Sequence, residues 1–380
     1  MKNKLLEDKK VAIIGAGPVG LMTAKLLQNA GVAVTVYERD LHAGIRISGG
    51  TLDIHSDTGQ KALLKAGLID DFYRIARPTG TRLVNEKAEI LSVEFPTEEQ
   101  LYDRPEIDRN ALRQLLLASL NTDTVCWNKQ VLKLEKEVHG HNIYFSDGST
   151  ATADLVIGAN GGRSVIRKAI TAIDPVFTGT FIIQAEVWDA AANVPSFKNL
   201  AGEDIVIVLA DKKMLYAQPK ANKALNYFVC FQADQDFISK HNLDVTNRLS
   251  IINYLKNSCK GWDTVFMNLF ENTHHFSILP MRKMPLDKKW KTGDGITLVG
   301  DAAHLMPPYA GIGVNIGLQD ALILADNLTC GNFHNLEAAI ADYEDKMFNY
   351  ARQAQQDTDA AAYGLFSDNA LASFFDGKRT

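Results

Sequence analysis

Three glycine-bearing segments hold the residues whose types and spacing can do chemistry in this chain. The first is Gly15-Ala16-Gly17-Pro18-Val19-Gly20, a G-x-G-x-x-G turn between an apolar run, Val11 to Ile14, and an amphipathic stretch, Val19 to Ala30. Gly15 permits the tight turn, Gly17 lets backbone approach a pyrophosphate, and Gly20 lets a helix pack close on its strand. The helix N-terminus, which opens at Pro18 and Val19, offers the amide donors of the residues after Pro18 and the positive end of a dipole. Glu38 ends the next Val-rich run, eighteen residues after Gly20, where a carboxylate can accept hydrogen bonds from a ribose diol. The pattern specifies a dinucleotide and leaves NAD and FAD both open. The second segment is Asn160-Gly161-Gly162-Arg163-Ser164-Val165-Ile166-Arg167, after the apolar run Leu155 to Gly158. The third is Gly300-Asp301-Ala302-Ala303-His304, continuing through Pro307-Pro308 to Gly311-Ile312-Gly313-Val314-Asn315.

Outside these segments the side chains of ordinary catalysis are missing. No Ser/His/Asp set, convincingly spaced carboxylate pair or metal-ligand cluster is legible, so no catalytic side chain and no metal site are expected. His274-His275 lies outside every motif and reads as a structural or surface pair. His304 reads as a loop holder rather than a proton carrier. The four cysteines, Cys126, Cys230, Cys259 and Cys330, form no C-x-x-C pair and read as core or surface thiols in a reducing compartment.

The elements that must position these residues follow from periodicity. Val11 to Ile14, Val19 to Ala30 and Val32 to Tyr37 make a β-α-β unit in which Gly31 closes the helix. Helices are expected at Ser56 to Ala66, Arg109 to Ser119, Val245 to Lys256, Asn315 to Leu328 and Glu337 to Tyr363. Val125 to Thr152 reads as a meander turning at Asp147-Gly148. Strands are expected at Arg82 to Phe95 (a pair), Thr180 to Val187, Ile205 to Leu209, Met214 to Gln218 and Leu225 to Phe231, an antiparallel sheet unlike the opening unit. Arg282 to Lys291 reads as a solvated basic loop. With 46% hydrophobic and 22% charged residues the chain is globular, and a net charge of −5 argues against nucleic acid as a partner. The polar start, Met1 to Lys10, lacks the apolar core of a signal peptide, and no run of about 18 apolar residues occurs, so a cytoplasmic protein with no membrane contact is expected.

The third segment resembles the G-D-A-A-H-x-x-P-P-x-x-G-x-G-x-N motif of the single-component flavoprotein aromatic hydroxylases. The second resembles their D-G-x-x-S-x-x-R motif, with Asn160 in place of Asp. Closer still, Val11 to Leu26, Val36 to Arg39, Gly49 to Leu52, Glu106 to Leu112, Gly179 to Gln184 and Gly300 to Asn315 resemble the tetracycline-inactivating flavin monooxygenases. The resemblance implies FAD as cofactor, with Glu38 and Arg39 on the adenosine side and Arg46, Asp53, Arg109 and Arg113 toward the flavin. Asp301 would take the ribityl chain, and Pro308, Gly311, Gly313, Val314 and Asn315 would bring backbone and a helix N-terminus against the ring. For the long cations, surface salt bridges are the competing reading.

On the substrate side the resemblance implies Gln184, Ile182, Ile205, Tyr216 and Asn226, with Pro308 and Gly311. This chain departs from the family here. Ile205 stands at an arginine, Asn226 at a histidine, Ile182 at an asparagine, Ile312 at a glutamine and Ile316 at a serine. Losing an arginine removes a charge-assisted hydrogen bond, about 1.5–3 kcal/mol, so a more apolar pocket is expected. Plain strand-core positions are the other reading of Ile182 and Ile205.

The fold implied is α/β: a Rossmann-like FAD-binding domain from 1–78, 100–172 and 280–335, an antiparallel-sheet substrate domain from 79–99 and 173–279, and a bridging helix and tail over 336–380. The function implied is hydroxylation of a planar polycyclic or phenolic compound by a monomer using NADPH or NADH as transient reductant and O2. A tetracycline-like antibiotic, hence antibiotic resistance, leads the list of substrates. A different, more apolar aromatic or polyketide substrate and a non-catalytic sequestering flavoprotein remain as alternatives. A flavin halogenase lacks its W-x-W-x-I-P motif here, and a dehydrogenase would leave the third segment unexplained.

Overall fold

The computed structural model describes residues 5–45, 49–287, 289–293 and 295–372. In chain order its strands are β1 (Val11–Ile14), β2 (Val34–Tyr37), β3 (Thr51–Asp53), β4 (Thr81–Val84), β5 (Ile90–Glu94), β6 (Glu106–Asp108), β7 (Val125–Cys126), β8 (Val131–Lys136) and β9 (His141–Phe145). Then follow β10 (Thr150–Ala153), β11 (Leu155–Gly158), β12 (Val176–Val187), β13 (Ile205–Ala210), β14 (Lys213–Pro219), β15 (Leu225–Gln232), β16 (His275–Lys283) and β17 (Ile296–Leu298).

The short apolar runs β1, β11 and β17 are buried at every position, as strands covered on both faces must be. They form one side of an all-parallel sheet in the order β17-β11-β1-β2-β7, with β1 at its middle. The Pro18–Asn29 helix packs on this sheet and against the Gly313–Thr329 helix. The meander β8-β9-β10 stands apart as a small antiparallel sheet, turning at Asp147-Gly148 with Gly148 at φ 82°.

The second large sheet runs β16-β12-β15-β14-β13-β4-β5 and is antiparallel except at β13–β4, where the long connection lets the strands run parallel. Period-two alternation sorts its side chains. Phe181, Ile183, Val206 and Val208 join a core roofed by the Pro195–Ala201, Arg248–Ser258 and Thr264–Glu271 helices. Ile182, Ile205, Ile207 and Leu209 face the other way with Met214, Cys230 and Phe366.

The Leu336–Leu365 helix spans both halves. Ile340, Tyr343, Met347 and Phe348 enter the core of the parallel sheet, while Ala362 and Leu365 reach the open face of the second sheet. The Tyr343 hydroxyl donates to the Leu298 carbonyl at 2.8 Å, pinning the helix to β17. Tyr343→Phe is expected to cost about 1 kcal/mol, read as a lower urea midpoint at unchanged slope; an unmoved midpoint removes that pin from the account.

Two local expectations change. β16 was not foreseen, although it pairs along β12 from Lys283 to His275. Arg282 to Lys291 is not a solvated loop. Met284, Leu286 and Trp290 are buried, Trp290 packs on Phe348 at 4.5 Å, and Lys283 and Lys289 reach Asp359 and Asp345 at 2.5 and 2.7 Å. The segment is a strap under the long helix, which supplies carboxylates for Lys283 and Lys289 and an aromatic partner for Trp290, while Arg282 donates to the Pro175 carbonyl at 3.1 Å. No described helix is long and apolar enough to cross a membrane.

Candidate functional site: a two-ended cavity between the sheets

A cavity of about 740 Å³ opens at the C-terminal ends of the parallel strands and runs to the open face of the second sheet. The crevice past the strand ends is where ligands bind in open α/β sheets. Its size lies in the range of about 300–1,000 Å³ common to ligand pockets.

At the first end, Gly15, Gly17, Pro18 and Val19 line the wall. Gly15 sits at φ 112°, with the Ala159 carbonyl only 2.6 Å from where a Cβ would stand, so the turn admits no side chain. Gly20 does not line the cavity; it lies against the Gly15 carbonyl and lets the helix approach the strand. The Pro18–Asn29 helix has no side-chain cap, leaving its first amides for a ligand. Glu38 is buried and lines the cavity; its carboxylate accepts from the Ala16 and Asp40 amides at 2.6 and 3.0 Å. A cavity-facing carboxylate is an acceptor of the kind a ribose diol needs. Arg39 lies beside it.

Further along, Asp53, Arg109, Asp301, Pro308, Gly311, Gly313 and Val314 also line the cavity. Among the described residues, Arg113 and Asn315 do not. The Arg113 guanidinium is buried and donates to the Ala16 carbonyl (2.9 Å), the Ala43 carbonyl (3.2 Å) and Asp40 (3.1 Å), so it holds the glycine turn from behind. Asn315 clamps β3 to its helix, accepting from the His55 amide at 2.8 Å and donating to the Asp53 carbonyl at 2.9 Å. Arg46 lies outside the described residues.

The second segment braces itself. Asn160 accepts from Ser164 at 2.5 Å, and buried Arg167 donates to the Gly162 and Ala302 carbonyls at 2.5 and 3.0 Å, tying this turn to the third segment. The neutral Asn160 suffices for that bond. His304 is fully buried on Asp320 at 2.7 Å and does not itself line the cavity, although Gly300, Asp301 and Met306 around it do.

At the second end, Ile182, Tyr216, Pro308 and Gly311 line the wall as anticipated. Gln184, Ile205 and Asn226 do not. Gln184 sits between Phe228 and Ser277 across β12, Ile205 is buried on the same sheet face as Ile207 without reaching the cavity, and Asn226 donates to the Ala185 carbonyl at 3.1 Å. Residues not foreseen complete this wall: Ile207, Met214, Gln218, Phe228, Cys230 and Tyr309. Period two on β14 pairs Met214 and Gln218 with Tyr216, so the signal was present; which face looks inward was not. Burial raises the Cys230 thiol and the Tyr309 phenol well above their ordinary values, so both stay neutral. Burial, then the charges of Glu106 and Asp53, likewise raise the Tyr216 hydroxyl. Among the described residues no group of His, Cys, Asp or Glu can hold a metal ion.

A family model described as an FAD binding domain matches residues 8–358. The chain belongs to this FAD-binding family. Among its relatives, the monooxygenase penA of Penicillium thymicola is 28% identical over 419 residues, covering 95% of this chain and 96% of that protein. Solved structures share the fold. HpxO of Klebsiella pneumoniae, in complex with FAD and uric acid, has a TM-score of 0.79 at 19% identity, covering 96% of this chain and 91% of that one. The tetracycline destructase Tet(51) has a TM-score of 0.76 at 21% identity, covering 98% and 95%. This protein is an FAD-dependent monooxygenase with the aromatic hydroxylase fold. The cavity suits FAD: open space at Gly17, an uncapped helix end and the Glu38 carboxylate are the donor and acceptor set of a dinucleotide.

Proposed function

We propose that this flavoprotein uses NADPH or NADH and O2 to hydroxylate a planar polycyclic or phenolic compound, with tetracycline-like polyketides the first candidates. The observation that carries the proposal is the continuity of one cavity, from the glycine turn and Glu38 to a wall of Ile182, Ile207, Met214, Phe228 and Cys230.

In this reading the free amides of the Pro18–Asn29 helix hold the pyrophosphate, Glu38 takes the ribose diol, and Arg39 lies along the adenosine. Asp301 binds the ribityl chain. Asp53, Arg109 and the Pro308 to Val314 turn frame the ring, and the Gly313–Thr329 helix aims its positive end there, favouring negative charge on the reduced cofactor. When bound, FAD supplies electron transfer from the reductant and oxygen activation. The chain's own work is to orient the substrate and exclude water, for which an apolar wall is suited. That wall equally favours an aromatic substrate less polar than tetracycline. The tetracycline choice rests on matching cofactor-side segments and a shared fold, whereas Ile182 and Ile205 depart from the family.

The test is NADPH oxidation by the purified protein, with and without tetracyclines and a panel of phenols and polyketides, beside mass spectrometry of each compound. A gain of one oxygen coupled to NADPH use is expected for at least one compound. Flavin-bearing protein that oxidises NADPH no faster with any of them would favour a sequestering role.

A further inference from the structure

We infer that the end of the cavity between β3, β6 and β14 receives the O–H or N–H end of an uncharged aromatic substrate and rejects an aromatic carboxylate. The inference deepens the proposed function and rests on it.

The β3–β6 ribbon pairs Thr51 with Asp108 and Asp53 with Glu106. Cross-strand partners, and residues two apart, share a face, so three carboxylates and a hydroxyl stand together. Thr51 and Asp53 line the cavity, and across from them so do Tyr216 and Gln218. Gln218 pairs in register with Asn226 on β15. The two sides touch through Gly50, where a Cβ would stand 2.5 Å from Gln218 Oε1 and 3.1 Å from Asn226 Oδ1.

Donors are scarce here. The Thr51 hydroxyl is turned to the Glu106 carboxylate, and Gln218 Oε1 and Asn226 Oδ1 are buried without a hydrogen-bond partner. Two nearby cations are already paired: Arg77 with Asp108 of this same ribbon (2.9 Å) and the Pro219 carbonyl (2.8 Å), which offsets one of the three carboxylates, and Lys220 with Glu186 (3.3 Å), outside it. His55 sits on Asp53 at 2.9 Å. The cations that line the cavity, Arg39, Arg109, Lys129 and Arg163, come from the cofactor side; none of the described lining residues of the second sheet is charged. Arg109 packs beside Gly49, and the proposed function assigns it to the flavin. An end rich in acceptors and negative charge favours a donor and repels an anion.

Glu106 makes the preference depend on pH. The groups facing it are Asp53 and Thr51 on β3, Asp108 on its own strand, Arg77 and Tyr216. Burial and then Asp53 raise its carboxyl to about 7, against the lowering pull of Thr51 and Arg77. Above that pH a further negative charge stands behind Tyr216. Glu106 is a positioning residue: it acts through the field at Tyr216 and Asp53, which face the ligand.

The test uses the purified protein without reductant and two probes of one shape, 2-naphthol and 2-naphthoate. Calorimetry gives both dissociation constants from pH 6 to pH 8, and visible absorbance reports bound flavin separately. Naphthol is expected to bind at least about tenfold more tightly than naphthoate at pH 8, one engaged buried donor being worth about that factor. The ratio should fall as pH drops through about 7. Glu106→Gln should keep binding but flatten the ratio with pH. Equal or preferred binding of naphthoate, no binding of either probe, or an unchanged pH profile in Glu106→Gln overturns the inference. A colourless protein overturns the proposed function instead, and the calorimetric ratio still decides the pocket.

Discussion

Gly17→Asp yields a folded protein that no longer retains flavin, whereas Gly20→Ala damages the fold itself. Gly17 caps the first helix at φ −77°, ψ 172°, a conformation open to any residue, and nothing lies within 4 Å of where its Cβ would stand. Aspartate is also a favoured N-cap. The substitution therefore leaves the apo fold untouched while placing a carboxylate where the pyrophosphate is proposed to lie. Juxtaposed like charges cost several kcal/mol, so flavin affinity should fall about a hundredfold or more. At Gly20 a Cβ would run into the Gly15 carbonyl oxygen and stand 3.0 Å from Ala159 Cβ. Backbone cannot swing aside like a side-chain tip, so the helix must lift off the sheet at a cost of about 3 kcal/mol or more. The ratio of flavin to protein absorbance after purification, with thermal melts, separates the two. Gly17→Asp protein of wild-type colour would remove the pyrophosphate assignment, and a wild-type melt for Gly20→Ala would remove the close-packing argument.

Asp320→Asn is expected to destabilise the protein by about 3–5 kcal/mol, the usual result of breaking a buried ion pair from one side. The fully buried Asp320 carboxylate accepts from the Gly300 amide at 2.6 Å, from His304 at 2.7 Å and from the Tyr350 hydroxyl. Burial alone would lower the His304 pKa. The Asp320 charge and hydrogen bond, with Asp301, outweigh it and leave the pKa raised above the ordinary 6.5. A pKa raised by folding means the native state binds the proton more tightly than the unfolded chain. The stabilisation is therefore complete below pH 6.5 and fades as pH rises through the native value. Urea midpoints from pH 5.5 to pH 9 should show that decline in the wild type and not in Asp320→Asn. Parallel pH curves, or a variant within 1 kcal/mol of the wild type, would remove the pair from the account.

Much of the cofactor end was legible because its signals are local. A strand, a glycine turn and a helix are contiguous from Val11 to Asn29, and Gly15 and Gly20 are required by contacts within that unit and with the neighbouring β11 turn. Where a residue's role depends on what folds against it, the text was silent. Arg113 and Asn315 were recognisable as polar groups near motifs, but only packing decides that one donates to Ala16 and the other to Asp53. The strap from Arg282 to Lys291 looked solvated because its partner helix lies more than fifty residues away in the chain. On the substrate wall, period two groups Met214, Tyr216 and Gln218, yet which face of β14 is open follows from the helices roofing the other.

By itself, then, the sequence determined the dinucleotide turn, the acidic strand end, the third glycine segment and the alternation of each strand, because backbone geometry and side-chain period act over a few residues. Tertiary structure decided that three segments spread over three hundred residues share one cavity, that the wall opposite them is apolar, and that Glu106 is pressed toward neutrality beside Asp53. Burial and electrostatic field are sums over everything nearby in space, and nearness in space is what a string of residues does not state.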